Sequence, residues 1–435
     1  MKNKEKKEGK KMKKRILAGL LAGLLSVCMT LPAGAVTVDF HGNAWTGVLS
    51  SSSAYLLGDE LGGKGENDSS TTIGVGKFRF RAEVASDDGR AKMVYGFETG
   101  TNNFGGDDWD YSGDSEDFEN RFAYLEAVVP GTGDSMLGRA GLQKTGVNQW
   151  LWTETAAGIT LHGKGGVNWQ AGWFRGLEDD ITDETVETDL FVVKGEMSPI
   201  LNITVGGFGV YAFDFGGRKE IEDEADQYWL GVTGKMDGPF FAAGDLIYQG
   251  GDAGENGDLD VSAFLANLTV GAHVTDSSKV SFNALYVSGD DDDDDDDQEA
   301  FQSIDTDVKV GQIFFKDGLA GDLDRFVDDQ FGAEQSFREM QNRGLINLAV
   351  EGEMQLNPKN NLRAAVRYLA TAEDDPVSGE DELGYEFDLW YAYKFNQNLT
   401  LKLEGAYLFS GDLTEKMFED DDDVYQVGLG AVFTF

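Results

Sequence analysis

The stretch Val424-Tyr425-Gln426-Val427-Gly428-Leu429-Gly430-Ala431-Val432-Phe433-Thr434-Phe435 decides the fold. Tyr425, Val427, Leu429, Ala431, Phe433 and Phe435 fall on one face, and the positions between them are mostly small or polar. A period of two is the mark of a strand with two unlike faces. The same period recurs upstream. Phe78, Phe80, Ala82 and Val84 alternate with Lys77, Arg79, Arg81 and Glu83, and Leu383, Tyr385, Phe387, Leu389, Tyr391 and Tyr393 alternate with Gly384, Glu386, Asp388, Trp390 and Ala392. About eighteen such segments occur, with sixteen as the neighbouring possibility. They lie near 37–49, 72–85, 90–99, 121–129, 135–143, 157–164, 167–175, 188–197, 201–213, 226–236, 240–249, 260–271, 279–288, 344–355, 362–371, 383–395, 399–409 and 424–435. A tilted strand needs roughly 9–11 residues to cross a bilayer, and these segments reach that length.

The connections alternate between short turns, such as Ser86-Asp87-Asp88-Gly89 and Asn396-Gln397-Asn398, and long loops, such as 50–71, 144–156 and 289–343. Strict alternation puts the short turns on one side and the long loops on the other. Pro130, Pro199, Pro239 and Pro358 lie in short turns and Pro376 in a loop, so no proline deletes a ladder hydrogen bond. The pattern predicts an all-β chain: a transmembrane antiparallel up-and-down barrel with short periplasmic turns and long external loops. The alternative is an exported aqueous β-sandwich, for which eighteen strands rich in Phe, Tyr, Trp and Leu are too many for one core.

The first 35 residues read differently. A lysine-rich start ending Lys13-Lys14-Arg15 precedes a short apolar run, and Ala33-Gly34-Ala35 offers a cleavage site. This predicts a secretory signal peptide over 1–35 and a single barrel over 36–435. A lipoprotein signal at Cys28 is the rival, but Val27 is bulky where a small residue is needed. Cys28 is the one cysteine of the 435 residues, so the mature chain is expected to have no thiol chemistry. The net charge of −42 argues against nucleic acid as a partner.

The start Val38-Asp39-Phe40-His41-Gly42 and the final Gly428 to Phe435 stretch resemble Gram-negative porins. That resemblance implies outer-membrane location and a role for Phe435 as signal to the barrel-assembly machinery. The segments Arg121-Phe122-Ala123-Tyr124-Leu125-Glu126-Ala127, Val129-Pro130-Gly131-Thr132, Gly141-Leu142-Gln143 and Ala406-Tyr407-Leu408-Phe409-Ser410-Gly411-Asp412 resemble the homotrimeric outer-membrane porins of anaerobic sulfate reducers. The trimer is implied by this resemblance alone.

Several residues stand out. Lys77, Arg79, Arg81, Arg90, Lys92, Arg363 and Arg367 occupy polar strand faces. If the apolar faces meet lipid, these cations line the lumen as a basic wall; equally, they pair with Glu83, Glu98 or Glu353 and stiffen the barrel. The third long loop carries Trp150, Trp152 and Glu154 and is expected to fold inward as a constriction, or else to pack on a neighbour at the surface. Asp290, Asp291, Asp292 and Asp293 open a run of eight Asp. It reads either as a solvated acidic tether or as a weak Ca²⁺ or Mg²⁺ site bridging to lipopolysaccharide phosphates. Acidic loops, this run among them, are expected to give a modest cation preference at low salt. Residues 305–315 alternate and suggest a hairpin over the mouth. His41, His162 and His273 have no nucleophile motif beside them, so no enzyme and no cofactor are expected. The reading is a water-filled diffusion channel for ions and small hydrophilic solutes. The rival is a non-conducting structural or adhesive barrel whose acidic loops bind cations.

Overall fold

The computed structural model describes residues 36–52, 71–103, 118–181, 184–213, 226–253, 259–291, 296–315, 317–322, 330–332, 335, 337–418 and 422–435. The expected leader, Asp292 and Asp293 lie outside them.

Alternating apolar positions build β1 (Val36–Ser51), β2 (Thr71–Ser86), β3 (Ala91–Asn103), β4 (Phe118–Val128), β5 (Met136–Lys144) and β6 (Thr155–Gly163). They continue as β7 (Asn168–Ile181), β8 (Glu184–Ile200), β9 (Ile203–Phe213), β10 (Gln227–Met236), β11 (Phe240–Ala253), β12 (Leu259–Thr275) and β13 (Ser278–Val287). A two-residue stub, β14 (Asp297–Gln298), lies parallel to β12. The last five are β15 (Leu345–Asn357), β16 (Asn360–Ala370), β17 (Glu382–Lys394), β18 (Leu399–Ser410) and β19 (Val424–Thr434). All eighteen long strands fall where the periodicity puts them.

Each long strand pairs antiparallel with the next, and β19 pairs with β1, from Asn43↔Thr434 to Ser51↔Gln426. The sheet is a closed antiparallel barrel of eighteen strands. Gly42 and Phe435 exchange two backbone hydrogen bonds of 3.0 Å at the seam. The outer face is apolar and open: Leu246, Val350, Phe387, Leu389, Val427 and Leu429 all point outward and are exposed. Soluble monomers rarely carry contiguous apolar patches above a few hundred Å², so this belt suits lipid.

The strict period breaks at β-bulges, which insert an unpaired residue and re-aim side chains. Between β16 and β17 the register passes from Leu369↔Gly384 to Ala370↔Glu382 and leaves Leu383 out. Leu383, expected on the lipid face, is therefore fully buried inside the barrel. Gly384 makes the kink with φ +123°, and a Cβ there would strike the Phe409 carbonyl oxygen. Gly384→Ala should cost about 1–3 kcal/mol for a side chain forced into that backbone region. A lower urea midpoint in lipid vesicles would show it; an unchanged midpoint would mean the bulge relaxes freely.

Candidate pore and its constriction

Two inward-folded segments divide the lumen. The first is loop 145–154, which the sequence singled out. Asn148 donates to Asp245 on β11 over 2.9 Å, and the Trp150 indole N–H donates to the same carboxylate over 3.1 Å. Trp152 sits edge-on to Phe174, with ring centroids 5.3 Å apart. Both Trp side chains are buried inside the barrel, not on its surface. Glu154 lies 3.8 Å from Arg121.

The second is the described part of loop 289–343, and it fills far more of the interior. Its 303–306 stretch runs along the first loop: Ser303 donates to the Trp150 carbonyl over 2.9 Å, and Thr306 to the Gln149 carbonyl over 2.8 Å. Phe301, Val308, Val310, Ile313, Phe314, Phe315, Phe331 and Phe337 form one apolar cluster with Leu383 and Phe418. The apolar residues of 305–315, expected in a hairpin over the mouth, are packed into the barrel instead. Asp305 forms a strand-type bridge to Trp152. An apolar face on a water-filled mouth would stay wet; packed inward it loses its contact with water.

The barrel wall was built to receive this loop. Glu386 accepts the Gln312 and Ile313 backbone N–H groups over 2.6 and 3.2 Å, and Glu404 accepts that of Leu319 over 2.6 Å. Asp317 pairs with Arg363 over 2.6 Å, and Asp322 pairs with Lys402. The Arg363 guanidinium carbon lies 3.5 Å from the Trp390 ring centroid. Arg363 and Lys402 are the fourth residues of their strands from the short-turn end, so the loop reaches deep into the barrel. Burial pushes the Asp317 carboxyl above its ordinary range against the pull of Arg363 and Arg367. Leu319, in a short helix α1 (Leu319–Asp322), occupies a notch over Gly428 and Gly430.

The filling is heaviest along one side. Inward-facing Gln249, Asn347, Arg367, Glu386, Asp388, Glu404 and Gln426 on β11 and β15–β19 are all buried. On β2–β5 four inward cations keep contact with water, at side-chain exposures of 33% for Arg79, 41% for Arg81 and 29% for both Lys92 and Arg139, while Lys77 beside them is buried; on the other wall Arg363 and Lys402, toward the short-turn end, keep 27% and 26%. Below loop 145–154, two adjoining cavities of about 840 and 510 Å³ share Asn168, Glu196 and Thr233 in their walls.

The sequence-nominated cations divide accordingly. Arg79, Arg81 and Lys92 line the wetter side, together with Arg121 and Arg139, which the reading of single residues missed. Lys77 is buried against Glu98 at 2.8 Å. Removing one partner of a pair so buried typically costs about 3–5 kcal/mol. Arg90 was expected on a strand facing the lumen. It lies instead in the β2–β3 turn, 3.4 Å from Asp134 of another short turn, because the strand begins one residue later. Arg363 is held under the loop, and Arg367 is buried against Asp388 at 2.7 Å. Arg81 and Lys92 meet at Glu83, and Lys92 and Arg139 meet at Glu126. The charges therefore interlock and face water at once.

At the long-loop end, Asp290 is buried, and the Arg343 guanidinium donates to its carbonyl. Burial, then repulsion from Asp291, Glu299 and Asp374, raises the Glu373 carboxyl. Among the described residues no trio of carboxylate, imidazole or thiol side chains is placed to hold a metal ion.

Gly430→Leu should expel Leu319 from its notch, since even a Cβ would come within 2.5 Å of it. The barrel should still fold, and single-channel current should rise as the loop tip lifts. Unaltered current from a folded variant would show that this tip does not narrow the passage.

No family model and no curated protein matches the sequence. Solved structures do match the fold. OccK8 (OprE) of Pseudomonas aeruginosa aligns with TM-score 0.56 at 11% identity, over 92% of this chain and 98% of that one. OccAB1 of Acinetobacter baumannii aligns with TM-score 0.56 at 12% identity, over 92% and 97%. A BenF-like porin of Pseudomonas fluorescens Pf-5 gives 0.55 at 10% identity, over 92% and 98%. The chain thus shares the fold of these proteins over 92% of its length.

Proposed function

We propose that the chain is an outer-membrane porin of a Gram-negative-type bacterium, passing ions and small hydrophilic solutes by passive diffusion. One observation carries the reading. An apolar-skinned barrel keeps one side of its interior wet and charged while a loop fills the other. A barrel serving only as a structural anchor has no need of part-exposed inward cations. Size is set between the β2–β7 wall and the two inward segments, and sign by the charges there.

The finer elements of the reading rest on the sequence. Likeness to the homotrimeric porins of sulfate reducers supports a trimer. Phe435 as assembly signal is supported by its place at the seam, where its ring lies over Gly42 and its backbone bonds to it. Lipopolysaccharide is the expected neighbour of the acidic loops.

The purified protein should form ohmic channels in planar bilayers. Changing Arg79, Arg81 and Lys92 together to Glu should move the reversal potential toward cations while the barrel still folds, because lumen substitutions tune selectivity. Folded protein that inserts and stays insulating would favour the structural or adhesive rival. Conduction with an unmoved reversal potential would return these cations to a purely rigidifying role.

A further inference from the structure

Three cations converge on one carboxylate in the barrel wall. Glu98 on β3 is 2% exposed and pairs with Lys77 at 2.8 Å, with Arg121 at 2.9 Å, and with Arg79. The backbone goes out of its way to arrange this. Between β2 and β3 the register passes from Gly76↔Asn102 to Phe78↔Thr99, so Gly100 and Thr101 of β3 stand opposite the single Lys77 of β2, and the extra residue lies on the strand of Glu98. Between β3 and β4 it passes from Gly96↔Phe122 to Phe97↔Asn120, leaving Arg121 out. One bulge thus re-aims Arg121 itself and the other lies in the strand that carries Glu98, while Lys77 and Arg79 share a face of β2 by ordinary alternation. A bulge interrupts the ladder locally and typically serves to re-aim a side chain.

The cations held this way are not equivalent. Lys77 is buried, whereas Arg79 and Arg121 keep side-chain exposures of 33% and 17%. Arg79 also lies over Trp45, with its guanidinium carbon 5.2 Å from the ring centroid. Arg121 extends to Glu154 at the end of the constriction loop. Glu98 therefore touches both a wall cation and the cation that meets the loop. We propose that Glu98 is a positioning residue for selectivity: it fixes Arg79 and Arg121 at the wall and, through Arg121, sets where the constriction loop stands. The proposal rests on the porin reading. Released from Glu98, the two guanidinium groups would swing toward the lumen and present more positive charge to passing ions.

The test separates position from charge. Glu98→Asp keeps every formal charge but shortens the reach by one methylene. The paired change Lys77→Met with Glu98→Gln removes one charge of each sign. Both should raise the anion-to-cation permeability ratio, by roughly twofold or more, and increase open-channel current noise. A role confined to holding the barrel together would lower thermal stability and leave the ratio at the wild-type value. That result in either folded variant overturns the proposal; should the paired variant fail to fold, Glu98→Asp decides alone. An insulating wild-type protein would instead overturn the porin reading and this proposal with it, whereas conducting wild-type channels with an unmoved Glu98→Asp ratio would sink the proposal only.

Discussion

A chain crossing hydrocarbon has no water to satisfy its peptide groups, so every N–H and C=O must find a partner in the chain itself. For strands the solution is closure, and the pairing of β19 with β1 is the contact that completes it. Gly42 and Phe435 seal one end of the seam by exchanging hydrogen bonds, and the Phe435 ring covers the site where Gly42 has no side chain. Once closed, the barrel has an inside and an outside, and the period of two assigns every strand residue to one or the other. Lipid takes the leucines, valines and aromatics. Everything polar on the strands is left to the lumen, along with whatever the loops bring in.

The interior then faces a second constraint. A barrel of eighteen strands is too wide for its own side chains to fill, and buried charges must be paired. Loop 289–343 meets both needs on the β11–β19 side. It supplies apolar bulk from its phenylalanines, backbone N–H groups for Glu386 and Glu404, and Asp317 and Asp322 for Arg363 and Lys402. On the β2–β5 wall loop 289–343 supplies no such packing, and the same kinds of charges pair with one another while still touching water. One architecture thus gives ion pairs two duties: anchoring a loop on one wall and, in the proposed channel, setting the field on the other.

How much could be read from the sequence follows from which forces are local. Alternation is a local consequence of lipid on one side and polar surroundings on the other, so all eighteen long strands were visible in it. Bulges are not, because one extra residue changes no composition; Leu383 was assigned to the wrong face, and Arg121 was overlooked, for that reason. The inward loop left signs that periodicity does not weigh. Phe301, Phe314, Phe315, Phe331 and Phe337 are too many aromatics for a solvated loop. Gly428 and Gly430 on the inward face of β19 mark a close approach from within. Reading 305–315 as a surface hairpin took alternation for a strand where the apolar side chains were seeking a core.

The central claim is that the passage runs along the β2–β7 wall and not through the loop-filled side. The only cysteine, Cys28, lies in the expected leader, so single cysteines can be introduced without background. A membrane-impermeant, positively charged thiol reagent should react rapidly with cysteine at Arg79, Arg81 or Lys92 and change the single-channel current. Cysteine at Asp388 or Gln426, both buried under the loop, should react slowly and leave the current unchanged. Fast reaction and current block at Asp388 and Gln426, with silence at the three cation positions, would contradict the account.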